Sequence, residues 1–329
     1  MGADGDIRLL IFAMTVNYRQ RTPMSTHSTK VPLSAKVPLS AKVPAENISL
    51  FRGLISLMRP RQWIKNGFVL APLLFAEAFF DTGAVINALL AAVFFSLASS
   101  AAYIVNDIHD IDSDRKHPRN SRTRPLASGA VTIPQAIGLL FVLYAMLIGA
   151  YFRFPAAGYV ILGYIVLNLA YTFVLKYMAV VDIFTIAIGF VLRVYAGSVA
   201  ISVPVSSWMF VTTLSLALYL AAIKRRQELV LGHDTGRDVL EYYSASLVER
   251  YAEMAATGAL IFYSLFVMSV KPELVITIPF VLFAFFRYWF LVESLDQGES
   301  PTEALLGDRQ LVLTIVIWIC ITLWALWPA

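Results

Sequence analysis

The sequence predicts an all-α, polytopic membrane protein, with nine transmembrane helices in one bundle and the polar loops gathered on one side. Three observations carry that prediction. Of 329 residues, 58% are hydrophobic and only 15% charged, at a mean hydropathy of +0.69, which is more apolar surface than a water-soluble fold can cover. The apolar residues come in runs long enough for a helix to cross the hydrocarbon core, about 20 residues at 1.5 Å each. The Lys and Arg residues are sorted between alternate loops instead of being scattered. The single Cys320 excludes a disulfide framework and a cysteine metal site. The net charge of +4 is modest, and no nucleic-acid partner is expected.

Residues 1–48 come first and read differently. Lys30-Val-Pro-Leu-Ser-Ala repeats from Lys36 and begins again at Lys42, and such a Pro-spaced, Lys-bearing tail cannot bury a core, so disorder is expected. The apolar run over 7–16 is too short to span and has no small-residue cleavage site. Met24 opens a polar stretch that would make a natural start, so residues 1–23 are expected to be a start-site artefact. Residues 49–329 form one transmembrane domain.

Within it the nine spans run approximately over 63–81, 84–105, 133–152, 155–175, 179–201, 206–223, 254–270, 273–292 and 310–327. Pro134, Pro155, Pro204, Pro272 and Asp308 mark breaks between them. With the N-terminus in the cytoplasm, only Arg153 and Lys271 fall in outside loops, while Arg193 and Arg287 lie within spans. The positive-inside rule therefore orients the chain. The outside loops are very short, so the chemistry is expected on the cytoplasmic face of the inner membrane.

At the end of the second span stands Asn106-Asp107-Ile108-His109-Asp110-Ile111-Asp112-Ser113-Asp114-Arg115. At about 100° per residue, Asp107, Asp110 and Asp114 share one helical stripe, with Asn106 at its edge and Asp112 facing away. Three carboxylates on one face repel one another unless a cation sits among them. Hard oxygen donors of this kind suit Mg²⁺, which completes its octahedron with substrate phosphate oxygens and water. Asp107, Asp110 and Asp114 are thus the expected metal ligands and the centre of catalysis. A solvated acidic loop is the plainer reading, but such a loop seldom orders its acids along one stripe beside a membrane. His109 and His117 read as supporting residues, since neutral imidazole is a poor Mg²⁺ ligand.

Cations surround this stretch. Arg115, Arg119, Arg122 and Arg124 would neutralise an anionic substrate, Arg matching phosphate with a bidentate fork; Arg119 and Arg122 read equally as topology residues. Upstream, Arg59-Pro60-Arg61-Gln62-Trp63-Ile64-Lys65-Asn66 sets Arg61 and Lys65 one helical turn apart, and Trp63 reads equally as an interfacial anchor. Tyr171 and Lys176 flank the loop before the fifth span. Asp182 is the candidate second carboxylate on the metal side, and Arg193, eleven residues later on the same face, is either a phosphate contact or half of a structural ion pair. Lys224, Arg225 and Arg237 form the last basic cluster, which would also attract anionic lipid head groups.

Asn106-Asp107-x-x-Asp110-x-x-x-Asp114 resembles the first signature of the UbiA superfamily of intramembrane prenyltransferases, and the resemblance in spans and polar loops extends along nearly the whole chain after residue 50. The finer pattern of Arg59-Pro-x-Gln-Trp-x-Lys-Asn, Asp114-Arg-x-His-Pro, Arg124-Pro-Leu-Ala-Ser-Gly and Lys224-Arg-x-x-Glu-Leu looks like the polyprenyl-phosphate (decaprenyl-phosphate) phosphoribosyltransferase branch. The resemblance implies a UbiA-like bundle and a magnesium-dependent transfer from phosphoribosyl pyrophosphate to a polyprenyl phosphate lipid, supplying cell-wall arabinose donors. Arg59, Lys65, Asn106, Arg115, Arg124, Tyr171, Lys176, Arg193, Lys224, Arg225 and Arg237 would contact the substrates. Members that bind isoprenyl diphosphate usually carry a second Asp-x-x-x-Asp motif, whereas here Ile186 stands four residues after Asp182. Two competing readings are transfer of an isoprenyl chain to an aromatic or other acceptor, and a transporter with a gating metal. A transporter would place its ionisable groups near the midplane in paired half-helices. The oligomeric state is left open.

Overall fold

The computed structural model describes residues 49–117, 120–230, 238–294 and 301–327, so the expected disordered tail and Arg237 lie outside the described residues, as do Pro118 and Arg119. The described residues are helical throughout, without a strand. The α-helices are α1 (Leu50–Leu57), α2 (Ala71–Phe75), α3 (Thr82–His109), α4 (Ile111–Lys116), α5 (Asn120–Thr123), α6 (Ile133–Arg153) and α7 (Pro155–Phe173). They continue as α8 (Val181–Ala200), α9 (Ser207–Val230), α10 (Ala245–Val270), α11 (Ile278–Ser294), α12 (Pro301–Gly307) and α13 (Arg309–Ala325).

Among the described residues seven helical segments are long and apolar enough to cross a membrane: Thr82–His109, Ile133–Arg153, Pro155–Phe173, Val181–Ala200, Ser207–Val230, Ala245–Val270 and Pro272–Glu293, the last joining a 3₁₀ segment, Pro272–Thr277, to α11. The remaining two of the nine expected spans lie at the ends of the bundle and are not long, continuous apolar helices. The last apolar helix, Arg309–Ala325, has only 17 residues. The first expected span is not one helix. It is an 11-residue 3₁₀ segment, Pro60–Leu70, then five-residue α2, then another 3₁₀ turn, Ala78–Phe80. Pro60 starts the 3₁₀ segment and Pro72 sits in the first turn of α2, where a proline ring is tolerated but continuous α-helical bonding is not. The segment still runs the length of α3, from Arg59 beside Asp107 to Glu77, which is paired with Lys271.

The 3₁₀ period of three explains how this segment is used. Arg59, Gln62 and Lys65 share one face, on a cavity; Trp63, Asn66 and Val69 share another, on the neighbouring helices. The indole of Trp63 donates to Ser100 Oγ at 3.0 Å, and Asn66 Nδ2 donates to Ser96 Oγ at 2.9 Å, so Trp63 ties the segment to α3. In an apolar medium such polar ties between small residues hold segments together. On the α8 side, a Cβ added at Gly197 would stand 1.8 Å from Val69 O, so only glycine admits this approach.

Elsewhere the helix ends carry the expected signals. Asp81 caps α3, Thr132 and Gln135 form a capping box before α6, and Ser244 and Asp308 cap α10 and α13. Asp308 also pairs with Arg287, which gives that in-span arginine its counter-charge. Helices α9 and α10 extend beyond their apolar patterns into polar sequence, and this carries Lys224 to Glu228 on a rigid helix. The two larger of four apolar clusters lie one around α3, α6 and α7, the other around α9, α10 and α11. The cavity is lined from both sides.

Candidate active site

The Asp-rich stretch straddles a helix junction. Asp110 closes α3 and precedes α4, yet Asp114 N–H still donates to Asp110 O at 2.9 Å, so the helical stripe survives the break. Asp107 and Asp114 are buried, Asp110 is half-buried, and the Asp112 side chain is 87% exposed, as the periodicity predicts.

Each inward carboxylate is met by a cation. Arg59 Nη2 donates to Asp107 Oδ1 at 2.5 Å, and Arg124 Nη1 donates to the same oxygen at 3.3 Å and, in closer contact, to Asp114 Oδ2. Lys176 Nζ donates to Asp110 Oδ1 at 2.6 Å. Asp110 lies just past the end of α3. Burial pushes its carboxyl up, but the bonds to Lys176 and His109 outweigh burial and hold it below the usual carboxylate range. Asn106 Nδ2 adds a bond to Asp110 Oδ2, and Asn120 Nδ2 one to Asp114 Oδ1, each at 3.0 Å.

Local backbone geometry delivers these groups. Arg124 is carried by a tight turn in which Ser128 N–H donates to Arg124 O and Val131 N–H to Pro125 O, and Gly129 adopts φ +80. A left-handed residue closes this turn, which is why Arg-Pro-Leu-Ala-Ser ends in glycine. Arg59 is itself left-handed at φ 54, an uncommon conformation for a non-glycine residue. Such strain gathers at functional sites.

The cavity has a volume of about 1160 Å³. The three inward aspartates line it together with Asn106, Arg59, Arg124 and Lys176. Lys65, Tyr171, Arg193 and Lys224 complete the expected residues that it brings together. Arg61 lines it as well, but the 3₁₀ period groups Lys65 with Arg59 and Gln62 instead of Arg61.

Three expected site residues fall elsewhere. Arg115 lies 3.6 Å from the exposed Asp112 and does not line the cavity. Arg225 is buried behind the wall, its Nε donating to Asp182 Oδ2 at 2.6 Å, its Nη2 to Tyr171 OH at 3.1 Å and its Nη1 to Glu228. Asp182, expected on the metal side, is saturated: its other oxygen accepts from Tyr243 OH at 2.7 Å, and Tyr243 OH in turn accepts from Val180 N–H. Val180 is β-branched at φ 69, so this chain of bonds pins a strained turn. Burial, and then the bond to Asp182, push the Tyr243 phenol well up, which keeps it a donor. The expected alternative partner of Asp182, Arg193, instead donates to Asn66 Oδ1, Gly189 O and Tyr164 OH.

Sequence reasoning passed over Tyr164, Asn168 and Thr172, which line the cavity from α7. Their spacing of four along an apolar span was a visible signal, one polar stripe on a helical face. Gln62 became predictable only with the 3₁₀ period. Glu303, also on the cavity wall, carried no signal because α12 is brought there by the fold.

The donor set fits a divalent cation. Asp107 Oδ2 is buried with no hydrogen-bond partner, and hard carboxylate oxygens converge on one cavity. Among the described residues no three His, Cys, Asp or Glu groups form a ready-made metal cluster, and Arg59, Arg124 and Lys176 engage the carboxylates. Mg²⁺ needs no all-protein cage, since it binds through a few carboxylates and completes its shell with substrate phosphates and water.

Known proteins share both this fold and this sequence pattern. A UbiA homolog from Archaeoglobus fulgidus, solved bound to GPP and Mg²⁺, superposes with a TM-score of 0.64 at 19% identity, covering 83% of this chain and 99% of that one. Decaprenyl-phosphate phosphoribosyltransferase of Corynebacterium glutamicum is 35% identical over 292 residues, 84% of this chain and 87% of that protein. The protein of the same name from Mycobacterium tuberculosis is 36% identical over 284 residues, 82% and 93% of the two chains. Residues 68–305 match the model of the UbiA prenyltransferase family, a stretch that includes the whole aspartate stripe and most of the cavity wall, and the chain therefore belongs to that family.

Proposed function

We propose that this protein transfers the 5-phosphoribosyl group from phosphoribosyl pyrophosphate to a polyprenyl phosphate, releasing pyrophosphate, at the cytoplasmic face of the inner membrane. The observation that carries the reading is the cavity itself, where three carboxylates on one stripe stand among cations in a chain similar over most of its length to proteins of that name. The saturation of Asp182 and the apolar Ile186 weigh against a second, fully equipped metal motif of the kind that isoprenyl diphosphates use.

In this reaction the bond from ribose C1 to the pyrophosphate oxygen breaks, the electron pair leaving with pyrophosphate. An oxygen of the lipid phosphate supplies the pair for the new C1–O bond. The lipid phosphate is already an anion, so no covalent intermediate and no general base are needed. Asp107, Asp110 and Asp114 would hold Mg²⁺, which supplies charge neutralisation for the departing pyrophosphate. Arg59, Arg124 and Lys176 stand beside the same carboxylates and are placed to take up growing charge on the leaving group, the main electrostatic contribution. Lys224 extends the cation shell. Arg225, with Asp182, orients the phenol of Tyr171 at the wall.

The test is product mass. Purified protein supplied with polyprenyl phosphate and labelled phosphoribosyl pyrophosphate should yield a lipid heavier by one phosphoribosyl group, and only with Mg²⁺ present. Product formed solely from an isoprenyl diphosphate and an acceptor would replace this reading with prenyl transfer, and substrate-driven flux without turnover would replace both with transport.

A further inference from the structure

Among the described residues, two cavity cations set back from the surface, Lys65 and Arg193, have no carboxylate partner, whereas Arg61, likewise unpaired, is exposed at the rim. Arg193 is buried on α8, and its guanidinium is held only by neutral groups, with Nε on Asn66 Oδ1 at 2.9 Å, Nη1 on Gly189 O at 2.8 Å and Nη2 on Tyr164 OH at 3.1 Å. The faces of Phe95, Tyr164 and Phe190 box it in, each ring centroid within 5.1 Å. Among the described residues no carboxylate pairs with it. Lys65 feels the like charge of Arg193 and makes no ion pair or hydrogen bond to a described residue. The other cations on the carboxylate side differ: Arg59, Arg124 and Lys176 each hold an aspartate.

Depth separates the two groups. Asn66, the acceptor for Arg193, is tied to Ser96 and Ser99 of α3. Ser99 precedes Asp107 by two helical turns, so at 1.5 Å per residue the Arg193 region lies about 12 Å below the aspartates along α3. An uncompensated cation at such depth in an apolar bundle is costly and marks a functional site. Two of them facing one cavity repel each other until an anion joins them.

We propose that Lys65 and Arg193 form a second anion subsite at the inner end of the cavity, distinct from the aspartate wall, and that it takes a phosphate monoester. The inference rests on the proposed transfer, in which both substrates carry such a group: the head of the polyprenyl phosphate and the 5-phosphate of the donor. Pyrophosphate held at the aspartate wall leaves from one face of the ribose, so a phosphate bound at the opposite end of the cavity is placed to attack from the other. Asn66, buried by its serine ties, fixes the guanidinium so that little freedom is lost on binding. Of the box, Tyr164 and Phe190 line the cavity and give it an apolar wall beside the subsite, as a lipid chain requires.

The experiment measures binding by the full-length protein in neutral-lipid nanodiscs without divalent cation, using polyprenyl phosphate, the dephosphorylated polyprenol and ribose 5-phosphate as probes. Wild type should bind polyprenyl phosphate well above polyprenol. Lys65→Met removes a side chain with no hydrogen bond in the fold, so melting should be unchanged while affinity for the phosphate lipid falls at least about tenfold and polyprenol binding stays the same. Arg193→Lys, which keeps the charge, should lose less affinity than Arg193→Gln. If ribose 5-phosphate binding falls instead of lipid binding, the subsite stands and belongs to the donor. Normal binding of both phosphate probes by folded Lys65→Met and Arg193→Gln proteins overturns the proposal. Because no turnover is measured, a wild type that shows this charge-dependent binding yet transfers no phosphoribosyl group would sink the proposed reaction and leave the subsite standing.

Discussion

Asp107 and Asp112 are five residues apart in one acidic run, yet one is buried at 2% exposure beneath two arginines and the other is 87% exposed. Asp107→Asn keeps the shape and removes a charge that faces the cavity, so turnover should fall at least about 100-fold, equivalent to about 3 kcal/mol of transition-state stabilisation. Asp112→Asn should leave turnover within about twofold. A steady-state assay of both proteins checks the pair, and activity of Asp107→Asn within about tenfold of wild type would count against the metal role. Asp182 makes a different kind of prediction. Removing its charge by Asp182→Asn strips Arg225 of one partner and loosens the strained Val180 turn, but Glu228 still holds Arg225. Breaking a buried pair costs about 3–5 kcal/mol, and the loss here belongs at the lower end of that range. The melting temperature of the purified protein should drop while the Mg²⁺ concentration for half-maximal rate stays put. An unchanged melt with a raised Mg²⁺ requirement would return Asp182 to the metal.

At the scale of elements, the 3₁₀ segment Pro60–Leu70 controls the site. It carries Arg59 and Lys65 on one face and is seated by Trp63, Asn66 and Val69 on the other. Its seat on α8 depends on Gly197, one helical turn beyond Arg193 on the same face. Gly197→Ala places a Cβ against Val69 O, and because the obstacle is backbone, the segment must move as a unit. Lost activity together with a lowered melting temperature is the expected outcome, whereas Gly163→Ala, where an added Cβ meets nothing within 4 Å, should cost neither. Equal behaviour of the two variants would show that this seat is unimportant.

At the scale of the whole molecule, the orientation across the membrane is open to direct measurement. In a Cys320→Ser background, Asp112→Cys should react with a membrane-impermeant maleimide only from the cytoplasmic side, because Asp112 is exposed beside the aspartate wall. Arg153→Cys, at the exposed end of α6, should react only from the opposite side. Labelling of both from one side would break the positive-inside assignment.

Composition, apolar run length and the spacing of three aspartates were enough to determine a helical membrane protein and the carboxylate stripe, because helix period and hydrocarbon thickness are local physics readable from a single run. The same local rules failed where the chain's conformation depends on distant partners. Pro60 and Pro72 break a continuous α-helix, but nothing in 60–80 announces a 3₁₀ period, whose inner face is seated against serines on α3 and a glycine on α8. Asp182 looked like a site residue because a charge in an apolar span marks function, and Arg225 because it belongs to a basic cluster at the end of one; only packing shows that they face each other behind the wall. Arg193 looked no different in sequence. The tertiary structure surrounds it with neutral groups and aromatic rings and turns it toward the cavity beside Lys65, because charge compensation is settled by contacts between residues far apart in the chain.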